Sequence, residues 1–483
     1  MPLHVVEQEK VLYEMIMGIE EEKLYEAYRK KETTINKDEV KQLDRPFTAV
    51  GKIVSIILIA ISFFAIWHFT ARAEEWYLLG GFMFAYLVLK ELFALFYRPC
   101  KKELTKEYKV TAIITCFNEN PTSVVSIFDN ILEQDYPVHE VLFLDDGSED
   151  PLAYRVAKSF AVAHKNNPNG TQFKIIRFEE NRGKRELLVD GFNEASGDYL
   201  FMLDSDSEIL PNALTELLRP FEKKKTTSVV GNIGILNKKD NFLTRLQSLT
   251  YFGSFQLGRA AQSVTGTVAI CSGAFSLHKK DFILENIEEF KNNSLLGVRI
   301  GAGDDRSLTS LSKMAGGKTR YQSTAYCETE APNKWRKFQS QRRRWMQSAY
   351  IGSLKSIKDV FPRKLWFLFW VFAEVYFWLI ATIIFILAVI ARGFYIDMTD
   401  IILYYVIIAY KQSIFYALYR PIRFIFAPIY FLAYGISLTI TRIHAAITIT
   451  NDSWGTRSNS AKGKIKEAVS TELELGEQGR AAA

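Results

Sequence analysis

The residues able to do chemistry come in short acidic and basic groups. Asp204 and Asp206 stand one residue apart in LDSDSE, directly after the apolar run YLFML. A hard divalent cation such as Mg²⁺ or Mn²⁺ takes oxygen ligands of this kind and shares them with phosphate groups. An Asp-x-Asp in a loop can equally be a solvated turn; placement at a strand end, beside further motifs, favours the ligand reading. Asp145 and Asp146 follow VLFL in DDGSED, where Gly147 allows a tight turn and either carboxylate can accept hydrogen bonds from a base or a ribose. ENRGKRE supplies Lys184, which can reach phosphates, and Arg185. In GAGDDRSLT, Asp304 and Asp305 are neighbours. A like-charged neighbour raises a carboxylate's pKa toward the range of a general base, while an aspartate just before RSLTSLSKM can also cap that helix. QSQRRRWMQS sets Gln341, Arg344 and Trp345 on a helix. Arginine grips a diphosphate with two N–H groups, and Trp345 offers a flat apolar face to a ring-shaped ligand. Arg342 and Arg343 read as the basic face of a helix at a membrane surface.

These groups need a scaffold that brings them together. From Tyr108 to Pro362, short β-rich runs alternate with polar helical stretches, the pattern of an α/β domain with a mostly parallel sheet. Ligands of such sheets sit at the carboxyl ends of the strands, where the acidic pairs fall. On either side the chain is apolar. Val50 to Phe69, Trp76 to Tyr97, Leu365 to Ala391 and Ile401 to Leu418 each approach the roughly 20 residues that cross a bilayer. Basic flanks such as YRPCKK and YRPIR orient both pairs with their outer ends in the cytosol. Lys90 and Glu91, inside the second run, are expected near its cytosolic end or facing other helices. Phe424 to Ile440 holds Pro428 and Gly435 between Arg423 and Arg442, and reads as interfacial or re-entrant.

The expected organisation is a polar segment at 1–48, two spans at 49–98, the α/β domain at 99–335 and amphipathic interface helices at 336–364. Two further spans follow at 365–420, then the interfacial helix at 421–445, a loop containing WGTR at 446–460 and a loose tail at 461–483. EEEKLYEAYRKK, near the start, reads as a solvated or membrane-surface helix, and no signal peptide is expected. A net charge of +6 over 483 residues is too weak to argue for a nucleic-acid partner and suits a membrane-facing chain. Cys100, Cys116, Cys271 and Cys327 lack metal-ligand spacing and read as reduced thiols.

Asp145-Asp146, Asp204-x-Asp206, Asp305 and Gln341-x-x-Arg344-Trp345, in this order, resemble the processive membrane glycosyltransferases of family 2, which make cellulose, chitin and hyaluronan. RAAQSVTGTVAICSG, GDDRSLT, YQSTAYCETEAP and WGTR are most similar to the hyaluronan-making members. The N-terminal segment, to about Arg45, departs from the short N-termini of bacterial members. The resemblance implies a GT-A type α/β domain with a multi-pass helical membrane region, and an inverting mechanism. It also implies UDP-GlcNAc and UDP-glucuronic acid as donors, and a polymer that leaves through the enzyme's own channel. Membrane lipids and the growing polysaccharide are then the partners, and a monomer suffices. Carried over to this sequence, the UDP-binding set is Asn118, Glu119, Asp145, Lys184, Asp204, Arg344, Trp454 and Arg457. Asp206 with Asp204 would hold the metal, Asp305 beside Asp304 would be the base, and Gln341, Trp345, Cys271, Ser272 and Gly273 would line the acceptor site.

Two other readings compete. A chitin or chitin-oligosaccharide synthase would use UDP-GlcNAc alone and share every motif. A channel or transporter with a nucleotide-sensing domain would explain the apolar runs, but gives no reason for Asp305, Gln341 and Trp345 to accompany a nucleotide site. Trp454 and Arg457 settle the expected side of the last apolar stretch. They can gate a cytosolic site only if that stretch does not cross; the plain alternative is an interfacial Trp/Arg anchor.

Overall fold

A computed structural model describes residues 21–29, 35–43, 48–70, 77–295, 298–299, 303–361, 364–392, 406, 409–410 and 413–449. Helices α1 (Lys37–Leu43), α2 (Ala49–Thr70) and α3 (Tyr77–Phe96) precede the α/β domain. The domain runs β1 (Val110–Cys116), α4 (Pro121–Leu132), β2 (Glu140–Asp145), α5 (Leu152–Ala163), β3 (Gln172–Arg177), α6 (Lys184–Glu194), β4 (Tyr199–Asp204), β5 (Ser207–Ile209) and α7 (Ala213–Leu218). It continues through β6 (Thr226–Ile235), α8 (Phe242–Phe252), α9 (Ala260–Val264), β7 (Phe275–Lys279), α10 (Lys280–Glu285) and α11 (Ile287–Lys291). The small hairpin β8 (Ser294–Leu295) and β9 (Val298–Arg299), α12 (Asp304–Met314) and β10 (Lys318–Thr329) complete it. Then come α13 (Trp335–Val360), α14 (Leu365–Arg392), α15 (Ile414–Tyr419), α16 (Pro421–Ile425) and α17 (Ala427–Ile447).

The main sheet has the order β3-β2-β1-β4-β7-β6-β10-β5. β3, β2, β1 and β4 are parallel neighbours, as are β6 and β10; β7 and β5 run antiparallel to theirs. The strands VTAIITC and EVLFLD are buried along their whole length, as parallel strands covered on both faces must be. Alternate side chains feed two cores. Ala112, Ile114, Phe143 and Phe201 join Phe128 of α4 and Phe160 of α5, whereas Ile113, Leu142, Leu144 and Met202 join Leu187 and Phe192 of α6 and Leu308 of α12. This double cover fixes the register of β1, β2 and β4, and so the height of the loops at their carboxyl ends.

The chain leaving α3 is stitched to β10. The Tyr97 hydroxyl donates to the Tyr321 carbonyl and accepts from the Ser323 N–H, at 3.1 and 2.9 Å. Gln322 bonds both the N–H and the carbonyl of Cys100, each at 2.9 Å. All four cysteines are unpaired and buried, as expected of reduced thiols.

The N-terminal segment departs from expectation. Glu21–Tyr28 is a 3-10 helix docked on the α/β domain, not a solvated or membrane-surface helix. Leu24 and Tyr25 are buried, Tyr25 packs edge-on to Phe160 and His164, and its N–H donates to Ser159 of α5. Arg29 grips Asp129 of α4 with two bonds of 3.0 Å. Two buried side chains among charges, Leu24 and Tyr25, thus dock a stretch whose composition alone reads as solvated. Leu24→Asp is expected to release it. Loss of that burial costs about 1.5–3 kcal/mol, which raises the open population roughly ten- to a hundred-fold. Faster tryptic cleavage at Lys23 and Arg29 under native conditions would report it, and unchanged cleavage would refute the docking.

The expected apolar spans coincide with helices: α2 with Val50–Phe69, α3 with Trp76–Tyr97 and α14 with Leu365–Ala391. Within Ile401–Leu418, α15 begins at Ile414. Among the described residues, no helix is long and apolar enough to cross a membrane. Glu91 is fully buried, and Lys90 lies 5.3 Å from the centre of the Tyr86 ring. Pro428 and Gly435 do not break the last apolar stretch. Pro428 sits in the first turn of α17, where its missing N–H costs nothing, and the helix runs unbroken past Gly435. Within 336–364, where several helices are expected, the described residues form one, α13, which packs on α17 through Phe338 and Tyr434.

Candidate active site

The site is built where β1, β2, β3 and β4 end. After β1, Asn118 adopts a left-handed conformation (φ 55°). Its N–H donates to Ser148, and its side-chain oxygen accepts from the Glu149 N–H, both at 2.9 Å. Ser148 in turn donates to Asp145, and Arg177, at the end of β3, holds the same carboxylate at 3.2 Å. Asp146 faces elsewhere and accepts the N–H groups of Arg182 and Gly183 at 2.8 and 3.0 Å. The two aspartates therefore divide the work: Asp145 is held at the strand end, and Asp146 pins the loop that carries Lys184. Gly147 is required directly after them; its φ is +67°, and a Cβ would lie 2.9 Å from the Glu180 backbone.

Lys184 opens α6 and reaches Asp204, at the end of β4, with 2.8 Å between Nζ and the carboxylate. Asp206 accepts from the Thr329 hydroxyl at 3.2 Å. Burial, then the charges of Asp204 and Glu119, push its carboxyl up to about 7. Among the described residues no group of three or more His, Cys, Asp or Glu side chains has metal-binding geometry. Two carboxylates nonetheless fit Mg²⁺ or Mn²⁺, which keeps waters or substrate phosphates as its other ligands. A cation there would relieve the repulsion that holds Asp206 toward its neutral form.

Gly303, in the left-handed region (φ +87°), precedes α12, and both following aspartates lie inside the first turn. The expected capping aspartate is thus replaced by a glycine, since a Cβ at Gly303 would run into Ser348 of α13. Asp304 forms a buried ion pair with Arg185 at 2.8 Å. The Asp305 carboxylate accepts the adjacent Arg306 N–H at 2.8 Å, and burial raises its pKa above the usual carboxylate range. One aspartate is neutralised by a partner; the other keeps its basicity.

The segment before β7 is latched to α12. The Cys271 N–H donates to Thr309 at 2.9 Å, and Lys313 donates to the carbonyls of Gly266 and Gly317 at 2.7 and 3.2 Å. The Cys271 side chain is fully buried, and its thiol is pushed up to about 12 by desolvation. Ser272 and Gly273 are half-buried, with open space beside Gly273. On α13, Trp345 is 42% exposed, and the Gln341 side-chain oxygen is buried without a hydrogen bond. Arg342 is buried among rings, which corrects its placement on a membrane-facing surface. Trp454 and Arg457 lie outside the described residues.

Sequence reasoning missed Arg177, Ser148 and Thr329 as partners of the site carboxylates. Ser148 was within reach, because DDGS repeats the side-chain-to-backbone turn chemistry of Asp and Ser. Thr329 and Arg177 depend on pairing between distant strands.

Residues 111–330 match the family described as Glycosyl transferase family 2. The fold is shared with a mannosyltransferase from Pyrobaculum calidifontis, solved in complex with GDP-Man and Mn²⁺, at a TM-score of 0.52 and 20% identity, covering 81% of this chain and 98% of that one. The chain is a glycosyltransferase with a GT-A type domain and a mostly parallel sheet. The hyaluronan synthase of Streptococcus pyogenes serotype M1 is 31% identical over 381 residues, covering 78% of this chain and 90% of the relative. Hyaluronan synthase 2 of Rattus norvegicus is 26% identical over 449 residues, covering 83% and 81%. The chain belongs to the hyaluronan synthase family.

Proposed function

We propose that this chain joins N-acetylglucosamine and glucuronic acid alternately, from their UDP donors, into hyaluronan and passes the polymer through its own membrane region. The observation that carries this reading is the kinship with hyaluronan synthases over most of both chains. The site supports it with a basic carboxylate, Asp305, within electrostatic reach of Lys184, which itself pairs with Asp204 at the end of β4.

Asp305 takes the proton of the acceptor hydroxyl, whose oxygen attacks the anomeric carbon from the face opposite UDP. The carbon–oxygen bond to UDP breaks, its electrons leave with the diphosphate, and the α-linked donor becomes a β-linkage. Asn118, Glu119 and Asp145 position the uridine, and Lys184 and Arg344 face the phosphates, with Arg457 and Trp454 closing over them. Gln341 and Trp345 hold the acceptor sugar, beside Ser272 and Gly273. Asp204 and Asp206 would hold Mg²⁺ or Mn²⁺, which when bound neutralises charge on the leaving diphosphate.

Exposed apolar rows support a bilayer around the helices. On α17, Ile429, Leu432, Ile436, Ile440, Ile443 and Ile447 recur every three or four residues and are all exposed. Val50, Ile53, Ile57, Ile61 and Phe64 do the same on α2. These rows favour a chain in the cell membrane, with lipid partners and its catalytic domain in the cytosol. The test is radiolabel incorporation with each donor singly and both together. Polymer is expected only with both; polymer from UDP-GlcNAc alone would replace this reading with chitin synthesis.

A further inference from the structure

Gln341 to Trp345 of α13 contain a buried cation, Arg342, that has no ion-pair partner among the described residues. Arg342 is 6% exposed, and its Nε and Nη2 are buried without a hydrogen bond. Its guanidinium lies 4.2 Å from the centre of the Trp345 ring, 5.1 Å from that of Phe338 and 5.8 Å from that of Tyr251. Other cations around the site have carboxylate partners: Lys184 has Asp204, Arg185 has Asp304, Arg177 has Asp145 and Lys238 has Glu328. Among the described residues Arg342 has none within 4.0 Å. Tyr251, in the same cage, lies in the electrostatic reach of Arg342 and of both Asp204 and Asp206, so the cage borders the acidic pair.

Ring faces compensate a buried guanidinium only partly. Buried polar groups are otherwise almost always bonded, and a buried charge without a counter-charge is strongly unfavourable. The missing anion is therefore expected from a ligand. On the proposed function, on which this inference rests, the ligands carry two kinds of anion, a diphosphate and a uronate carboxylate. Lys184, Arg344 and the acidic pair, with the cation it would hold, are already assigned to the diphosphate. A planar guanidinium with two free donor nitrogens matches a carboxylate. The indole stacked on Arg342 belongs to Trp345, the residue assigned to the acceptor sugar. We propose that Arg342 binds the carboxylate of the glucuronic acid at the end of the acceptor chain, and so distinguishes a uronate-ended polymer from an N-acetylglucosamine-ended one.

The test separates the two half-reactions on full-length enzyme with short acceptor oligosaccharides. One assay adds N-acetylglucosamine to a uronate-ended acceptor; the other adds glucuronic acid to an N-acetylglucosamine-ended acceptor. In Arg342→Met, KM for the uronate-ended acceptor is expected to rise about 10- to 100-fold, the loss of a charge-assisted hydrogen bond. The other half-reaction is expected to fall far less, by about threefold or under. Equal loss in both, or no loss in either, would overturn the assignment and leave Arg342 a diphosphate ligand or a packing residue. Arg342→Lys keeps the charge but not the planar fork. It must show the same split at smaller size, and it decides the matter if the Met variant does not fold. Wild-type enzyme that transfers no glucuronic acid would instead sink the proposed function, whatever Arg342 does.

Discussion

An Asp305→Asn enzyme is expected to bind UDP as the wild type does and to make no polymer. Asparagine keeps the volume of the side chain and an oxygen that can still accept the Arg306 N–H, so the first turn of α12 should be undisturbed. What it loses is the ability to take a proton. General-base catalysis is worth roughly 10²–10⁴ in rate, and a drop of that size in kcat is the expected result. Label incorporation from both donors would measure it, with calorimetric UDP binding as the control. Polymer made at more than about a tenth of the wild-type rate would remove Asp305 from the base role. The pH dependence has a defined sign. Burial is the main cause of the raised pKa at Asp305. Its proton-accepting form is therefore lost, as pH falls, at a higher pH than for a solvated aspartate.

The second large effect concerns its neighbour. Asp304→Ala is expected to unfold the catalytic domain, not merely to slow it. Asp304 and Arg185 are 9% and 5% exposed at their side chains, and the pair ties α12 to α6. Removing the carboxylate leaves a guanidinium in a dry interior, a change worth about 3–5 kcal/mol. Arg29→Ala breaks a pair whose arginine is half exposed, and should change stability by about 1 kcal/mol at most. Thermal unfolding of both variants makes the comparison. Asp304→Leu combined with Arg185→Met should recover much of the loss, because it removes both charges together. A midpoint for Asp304→Ala no lower than that of Arg29→Ala would show that the pair does not hold these helices together.

Much of this was readable from the chain. VLFL before Asp145 and YLFML before Asp204 are unbroken apolar runs of strand length, as doubly covered strands produce, which set the acids that follow at a sheet's carboxyl edge. The division of labour inside each acidic pair was not readable. Asp145 differs from Asp146, and Asp304 from Asp305, through partners far along the chain: Arg177, the Arg182–Gly183 backbone and Arg185. The run RRR at 342–344 misled for a related reason. Charge runs are solvated as a rule, and only the rings of Tyr251, Phe338 and Trp345 make room for Arg342 inside. The N-terminal helix misled in the same way, because Leu24 and Tyr25 have too few apolar neighbours in sequence to announce a docking face. Pro428 and Gly435 looked like interruptions, yet a proline in a first turn is a start signal and one glycine does not stop a packed helix.

The stitching of Tyr97 and Cys100 to β10 has a mechanical meaning. Four hydrogen bonds make the end of α3 a part of the sheet rather than a tether to it. Breaking them together costs roughly 2–6 kcal/mol, at about 0.5–1.5 kcal/mol each. A swivel at that point is thereby suppressed, and the catalytic domain cannot act as a lever against that helix while the bonds hold. Any motion that advances a newly added sugar must then leave this joint unbent, or break these bonds together.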